Sequence, residues 1–172
     1  MSLVVRRWEP TDIPSVQRIA WTTWLAAYGG FIPEVDMRTF FDQYYTADAL
    51  EKFCSDDHAR GFLADYDAVP AGFAKTARNT DDGRFYLNSL YVLPEYQGKG
   101  IGSRLLQASE RFALTLHAPE VWLGVMMQNT AAVDWYRRIG FQFVSEEPFT
   151  MGHTTVPHLI GFRTITQPSS DD

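Results

Sequence analysis

Hydrophobic and polar positions change period several times along this chain, and each change marks an element. Leu3, Val4 and Val5 open with a short strand-compatible run. Ile13, Val16, Ala20, Trp24 and Ala27 then fall on one face of a helix, with Thr11 as its expected cap and Asp12 in its first turn; Gly29 and Gly30 stop it. A second helix is predicted from near Pro33, carrying Phe40, Phe41, Tyr44 and Tyr45, and a third, short one from a Thr46 cap through Phe53. From Gly61 the period becomes two. Residues 61–66 and 71–76 read as a hairpin around a turn at 67–70, and the polar turn 79–83 leads into a strand over 85–92.

Ile101, Leu105, Leu106, Phe112, Ala113 and Leu116 restore the helical period. Residues 121–126 form an apolar run of the kind expected of a buried strand. A helix over 130–139, ended by Gly140, follows, and strands at 141–145 and 159–165 complete the order. That order, β-α-α-(α)-β-β-β-α-β-α-β-β, predicts an α/β (α+β) fold. A single domain is expected over residues 1–166, with a frayed tail at 167–172. The aromatics Trp21, Trp24, Tyr28, Phe31, Phe40 and Phe41 are expected mainly in the core, with Tyr28 and Phe31 as candidates for a cleft wall.

Composition narrows the class. The chain has 172 residues, 45% hydrophobic and 21% charged, and a net charge of −6, which argues against broad nucleic-acid binding. No apolar run approaches the roughly 18 residues of a membrane span, and nothing resembles a signal peptide, so a cytoplasmic protein is expected. The lone Cys54 can form no internal disulfide and reads as a small buried residue.

The candidate chemistry lies where the strand over 85–92 gives way to a helix. Leu90-Tyr91-Val92 is followed by Pro94 and then by Gln97-Gly98-Lys99-Gly100-Ile101-Gly102-Ser103. Glycines at every second position let the backbone turn tightly, and the free N–H groups of the following helix favour an anion, typically phosphate. The spacing excludes a Walker loop, because Lys99 is not followed by Ser or Thr, and a Rossmann fingerprint, because position 103 is serine. A second motif runs from Asn129 through Ala132 and Tyr136 to Gly140 and Phe141.

Gln97-x-x-Gly100-x-Gly102 after a Leu-Tyr-Val strand, followed by Asn129-x-x-Ala132-x-x-x-Tyr136-x-x-x-Gly140-Phe141, resembles the GCN5-related N-acetyltransferases (GNAT). The resemblance implies a mixed, mostly antiparallel sheet of six to seven strands flanked by helices, with its central strands splayed at a bulge. It also implies acetyl-CoA as cosubstrate, with no metal. Leu90 and Val92 would offer backbone groups to the acetyl and pantetheine moieties, and Tyr91 lies between them. Residues 97–103 would meet the pyrophosphate, with Lys99 contributing its backbone there. Asn129 would be a coenzyme contact, a helix N-cap or both, and Ala132 belongs to the same coenzyme-facing motif. Tyr136 would be the general acid that protonates the leaving thiolate.

The general base departs from the family pattern. Many members carry a glutamate before Leu-Tyr-Val, whereas this chain reads Tyr86, Leu87, Asn88 and Ser89. Water held by Asn88 or Ser89, Tyr86, Tyr91, Glu34, His153 and His158 stay open as routes for the proton. The segment between the first two helices walls the acceptor site in the family, so Glu34 and Asp36 could attract an ammonium group there. The run Val121-Trp122-Leu123-Gly124-Val125, with Phe149-Thr150-Met151-Gly152 later, is similar to PaiA-type enzymes, which acetylate spermidine and spermine. The expected partner is a small-molecule amine, polyamines leading, with a homodimer left open and no nucleic acid or membrane. Another amine (amino acid, antibiotic or protein N-terminus) and a non-catalytic coenzyme sensor are the alternatives.

Overall fold

The computed structural model describes residues 1–167. Of the tail expected at 167–172, residues 168–172 lie outside the described residues. Seven strands form one sheet in the order β1-β2-β3-β4-β5-β7-β6. The strands are β1 Leu3–Arg7, β2 Ala59–Tyr66, β3 Val69–Arg78, β4 Phe85–Val92, β5 Glu120–Met126, β6 Gln142–Met151 and β7 Thr154–Thr164. Between them run α1 Ile13–Tyr28, α2 Glu34–Tyr44, α3 Ala47–Cys54, α4 Ile101–Thr115 and α5 Thr130–Arg138. Every neighbouring pair is antiparallel except β4 and β5. This is the α/β (α+β) fold that the pattern predicted and the mixed, mostly antiparallel sheet that the resemblance implied.

Alternation along the strands sends side chains to two cores. Phe62 and Ala64 join Leu105, Phe112 and Leu123 under α4 and α5, while Leu63 and Phe73 join Val16, Ile19, Trp24 and Leu50 under α1 to α3. The second core is strongly aromatic. Trp24, 1% exposed, meets Phe40, Phe41, Tyr45 and Tyr91 edge-on at 5.0–6.3 Å. Such pairs add about 0.5–1.5 kcal/mol each beyond the area they bury.

Three local expectations change. Asp12, not Thr11, occupies the N-cap position of α1 without a side-chain capping bond; its carboxylate instead accepts from the Glu9 backbone N–H at 2.8 Å, within the short 3-10 turn Pro10–Asp12, and from Arg6 at 2.8 Å. Tyr28 closes the buried face of α1 while Ala27 is exposed. The last two strands are longer than hydrophobicity indicated: β6 and β7 pair from Gln142↔Phe162 to Met151↔Thr154. Thr46 caps α3 as expected, its Oγ1 accepting from the Ala49 N–H at 3.1 Å.

The sheet is interrupted at its centre. Lys75 lies opposite Ser89 and Thr76 opposite Leu87, so Asn88 is an extra residue that bulges out of β4. β4 and β5 are paired at Tyr86↔Trp122 and part beyond it.

Candidate active site

The fork between β4 and β5 opens into a cleft of about 1060 Å³. Of the residues that sequence reasoning singled out for the coenzyme, Leu90, Tyr91, Val92, Gln97, Gly98, Gly100, Ile101, Gly102, Ser103, Asn129, Ala132 and Tyr136 all line it. Lys99 does not. Its ammonium points away to the Tyr66 ring, 5.4 Å from the centroid, which leaves only its backbone for the loop.

The glycine loop is shaped by two distinct demands. Gly98 and Gly100 sit at φ 76 and 79, where an L side chain is strained. Gly102 has an ordinary φ, but a Cβ there would press on the Trp135 ring at 3.3 Å. α4 begins directly after Gly100, and Arg104 N–H to the Gly100 carbonyl is the bond that closes its first turn, 3.2 Å. The N–H groups of Ile101, Gly102 and Ser103 precede that turn and have no carbonyl behind them, so they are available to an anion.

On β4, the Val92 carbonyl accepts from Gln97 Nε2 at 3.2 Å, so one of the backbone groups expected to be free is already engaged. Asn129 sits at the N-cap of α5, yet its side chain makes no capping bond. Its amide therefore remains available at the cleft wall. Three buried tyrosines, Tyr28, Tyr45 and Tyr136, and the half-buried Tyr91 gather around the fork. Tyr28 Oη and Tyr91 Oη are 3.3 Å apart, Tyr45 Oη and Ser89 Oγ 2.6 Å. Burial pushes the hydroxyls of Tyr28, Tyr45, Tyr91 and Tyr136 above their ordinary range, so all stay protonated at neutral pH.

The open routes for the amine proton divide by position. Glu34 and His153 do not line the cleft, whereas Tyr86, Asn88, Ser89, Tyr91 and His158 do. His158, on β7, lies 4.8 Å from the Phe149 ring and over the β5 backbone, where a Cβ on Gly124 would collide with its imidazole. Burial lowers its pKa, with a hydrogen bond to Gly124 opposing, so the ring is neutral at pH 7. Asp36 is turned away from the cleft. It accepts from the His153 N–H at 3.0 Å and from Thr154 Oγ1 at 2.5 Å, which hold its carboxyl below the usual range. It fastens α2 to the β6–β7 turn and does not meet an ammonium group in the cleft.

Sequence reasoning missed Lys75, which lines the cleft from β3. The available signal was its spacing: it is two residues after the fully buried Phe73 and therefore shares its face.

With this geometry in place, comparison with known proteins decides the family. The sequence profile of the acetyltransferase (GNAT) family matches residues 14–141. The chain belongs to that family. It is an N-acetyltransferase by that membership. An uncharacterized N-acetyltransferase of Mycobacterium bovis is 27% identical over 142 residues, 83% of this chain and 90% of that protein. A spermidine N(1)-acetyltransferase of Escherichia coli is 28% identical over 116 residues, 64% of this chain and 62% of that enzyme. The solved PaiA N-acetyltransferase of Thermoplasma acidophilum, in complex with coenzyme A, shares the fold with a TM-score of 0.80 at 23% identity, covering 95% of this chain and 99% of that one.

Among the described residues, no helix is long and apolar enough to cross a membrane, and no group of three or more His, Cys, Asp and Glu could hold a metal ion.

Proposed function

We propose that this GNAT-family chain transfers the acetyl group of acetyl-CoA to a primary amine of a small molecule in a ternary complex. The observation that carries the reading is the meeting, in one cleft, of the positive-φ glycine loop, the opened β4 edge and Tyr136. The chain's groups fit the coenzyme: free N–H groups at α4 suit a pyrophosphate, and the unpaired strand edge beyond Tyr86 suits an amide-bearing arm. When bound, acetyl-CoA supplies a thioester-linked acetyl group.

Transfer forms a C–N bond and breaks a C–S bond; the amine loses a proton and the departing thiolate gains one. Tyr136 holds a proton at neutral pH and donates it to the sulfur. His158 is our assignment for the acceptor of the amine proton, since its imidazole is neutral and lines the cleft. Backbone N–H groups of β4 at the fork stabilise the negative charge that builds on the carbonyl oxygen.

Polyamines such as spermidine are the acceptor class supported by the similarity to PaiA-type and spermidine enzymes. Thiol release from acetyl-CoA with a panel of spermidine, spermine, amino acids and aminoglycosides tests both levels. Amine-dependent release is expected, and Tyr136→Phe should lower kcat roughly 100-fold with little change in the coenzyme KM. His158→Asn should lower it in the same direction. Unchanged kcat in Tyr136→Phe would remove the acid role, and coenzyme binding without release by any amine would overturn the reading.

A further inference from the structure

Lys75 is a feature of the cleft that transfer to a simple amine leaves unexplained. It stands on β3 opposite Ser89, with Nζ 5.0 Å from the centroids of both the Tyr45 and Phe53 rings. Among the described residues no carboxylate lies within ion-pair distance of it, and no Asp or Glu lines the cleft at all. The two aromatic faces offer partial compensation for lost water. Burial lowers its pKa to about 8, so at neutral pH most molecules carry a positive charge there with no counter-charge.

A cation removed from water is costly unless an anion meets it. The chain supplies none, so the complement must arrive with the ligand. The coenzyme's phosphates are poorly placed for that role. The glycine loop leads into α4, which packs against the Leu105 and Leu123 core, whereas Lys75 lies on the opposite sheet face beside Tyr45, Phe53 and Phe73. Around it are an apolar aromatic wall and the hydroxyls of Tyr45 and Ser89, which can add hydrogen bonds to an anion.

Accepting the acetyltransferase reading above, we infer that Lys75 pairs with a carboxylate of the acceptor. The preferred substrate class is then an amine that also bears a carboxylate and an apolar or aromatic body, that is, an amino-acid-like amine. A polyamine, the class that similarity to relatives alone favours, would bring further positive charge to a wall that holds a cation and no carboxylate, so the inference departs from that class and keeps only the acetyl transfer. Lys75 is a specificity residue in this arrangement; it positions the acceptor and takes no proton from it.

Matched pairs differing only in the carboxylate test the inference: L-phenylalanine against 2-phenylethylamine, L-leucine against 3-methylbutylamine, L-methionine against 3-(methylthio)propylamine, with spermidine alongside. Thiol release is measured for the wild type, Lys75→Met and Lys75→Arg. The wild type is expected to favour the acid member of at least one pair by tenfold or more in kcat/KM. Lys75→Met should erase that preference by raising KM for the acid alone, and Lys75→Arg should restore much of it. Calorimetric binding of the same compounds to the coenzyme A complex gives a readout independent of turnover.

Preference for the decarboxylated members or spermidine, or a preference for the acid that survives in Lys75→Met, would overturn the inference. So would equal binding of both members of every pair. Lysine-dependent binding of the acid with no thiol release would sink the acetyltransferase reading while leaving the carboxylate site standing.

Discussion

At the scale of single residues, Lys75 shows function set against stability. Its proton leaves near pH 8 in the folded protein, against an ordinary 10.5, so between those values the unfolded chain binds more protons and stability rises with pH. A depression of that size corresponds to about 3 kcal/mol lost below pH 8. Lys75→Met is therefore expected to be more stable than the wild type at pH 7, by up to about 3 kcal/mol, with the gap closing toward pH 10.5. Urea unfolding at pH 7 and pH 10 measures this; a less stable variant at pH 7 would contradict it. Gly100 is strained differently. A Cβ there would touch nothing within 4 Å, so Gly100→Ala meets only the cost of φ 79, about 1 kcal/mol. The loop's N–H groups would shift with it, and the coenzyme KM should rise while the fold persists by circular dichroism.

At the scale of elements, the tie between α2 and the β6–β7 hairpin decides how one wall of the cleft is held. Asp36 makes that tie, and a Cβ on Gly152 would collide with it. Because its partners lower its pKa, Asp36 contributes stability above the unfolded carboxyl range, and that contribution is lost as pH falls through the folded value. Asp36→Asn should lower the urea midpoint at pH 7, with the difference from the wild type shrinking in acid. The same region shows where sequence patterning ran out. β6 is an edge strand with Val144, Glu146, Glu147 and Pro148 exposed on both faces, so it carries no period-two signal, and its length is fixed by pairing with β7. The glycine loop and the Asn129 to Phe141 helix were legible because close backbone approach and helix ends demand particular residue types. Lys75 was harder to read: its spacing from Phe73 marks its face, but a lysine in a strand ordinarily faces water, and only Tyr45 and Phe53 folded against it make this one half-buried. Asp36 was read as a cleft acid because its partners, His153 and Thr154, are far away in sequence.

At the scale of the whole molecule, two cores on opposite faces of one sheet meet at the cleft, so binding there acts on both. Acetyl-CoA is expected to raise the melting temperature, since a ligand at 100 times its Kd adds about 2.7 kcal/mol to the native state. Calorimetric scans with and without the coenzyme check this, and an unchanged transition would contradict it.

The parting of β4 from β5 has a consequence for the empty protein. Past Tyr86↔Trp122, two inner strands of the sheet turn facing edges toward a gap, a situation that sheets otherwise confine to their borders. The sheet itself is joined there by one bridge, and its two halves are otherwise held by α4 and by the Asp36 tie to the β6–β7 turn, like the covers of a half-open book. An extended ligand lying between them acts as an inserted page, so those amides of β4 and β5 beyond the hinge that face the gap should exchange their hydrogens readily when the cleft is empty and slowly when it is filled, while their neighbours bonded to β3 and β7 stay protected.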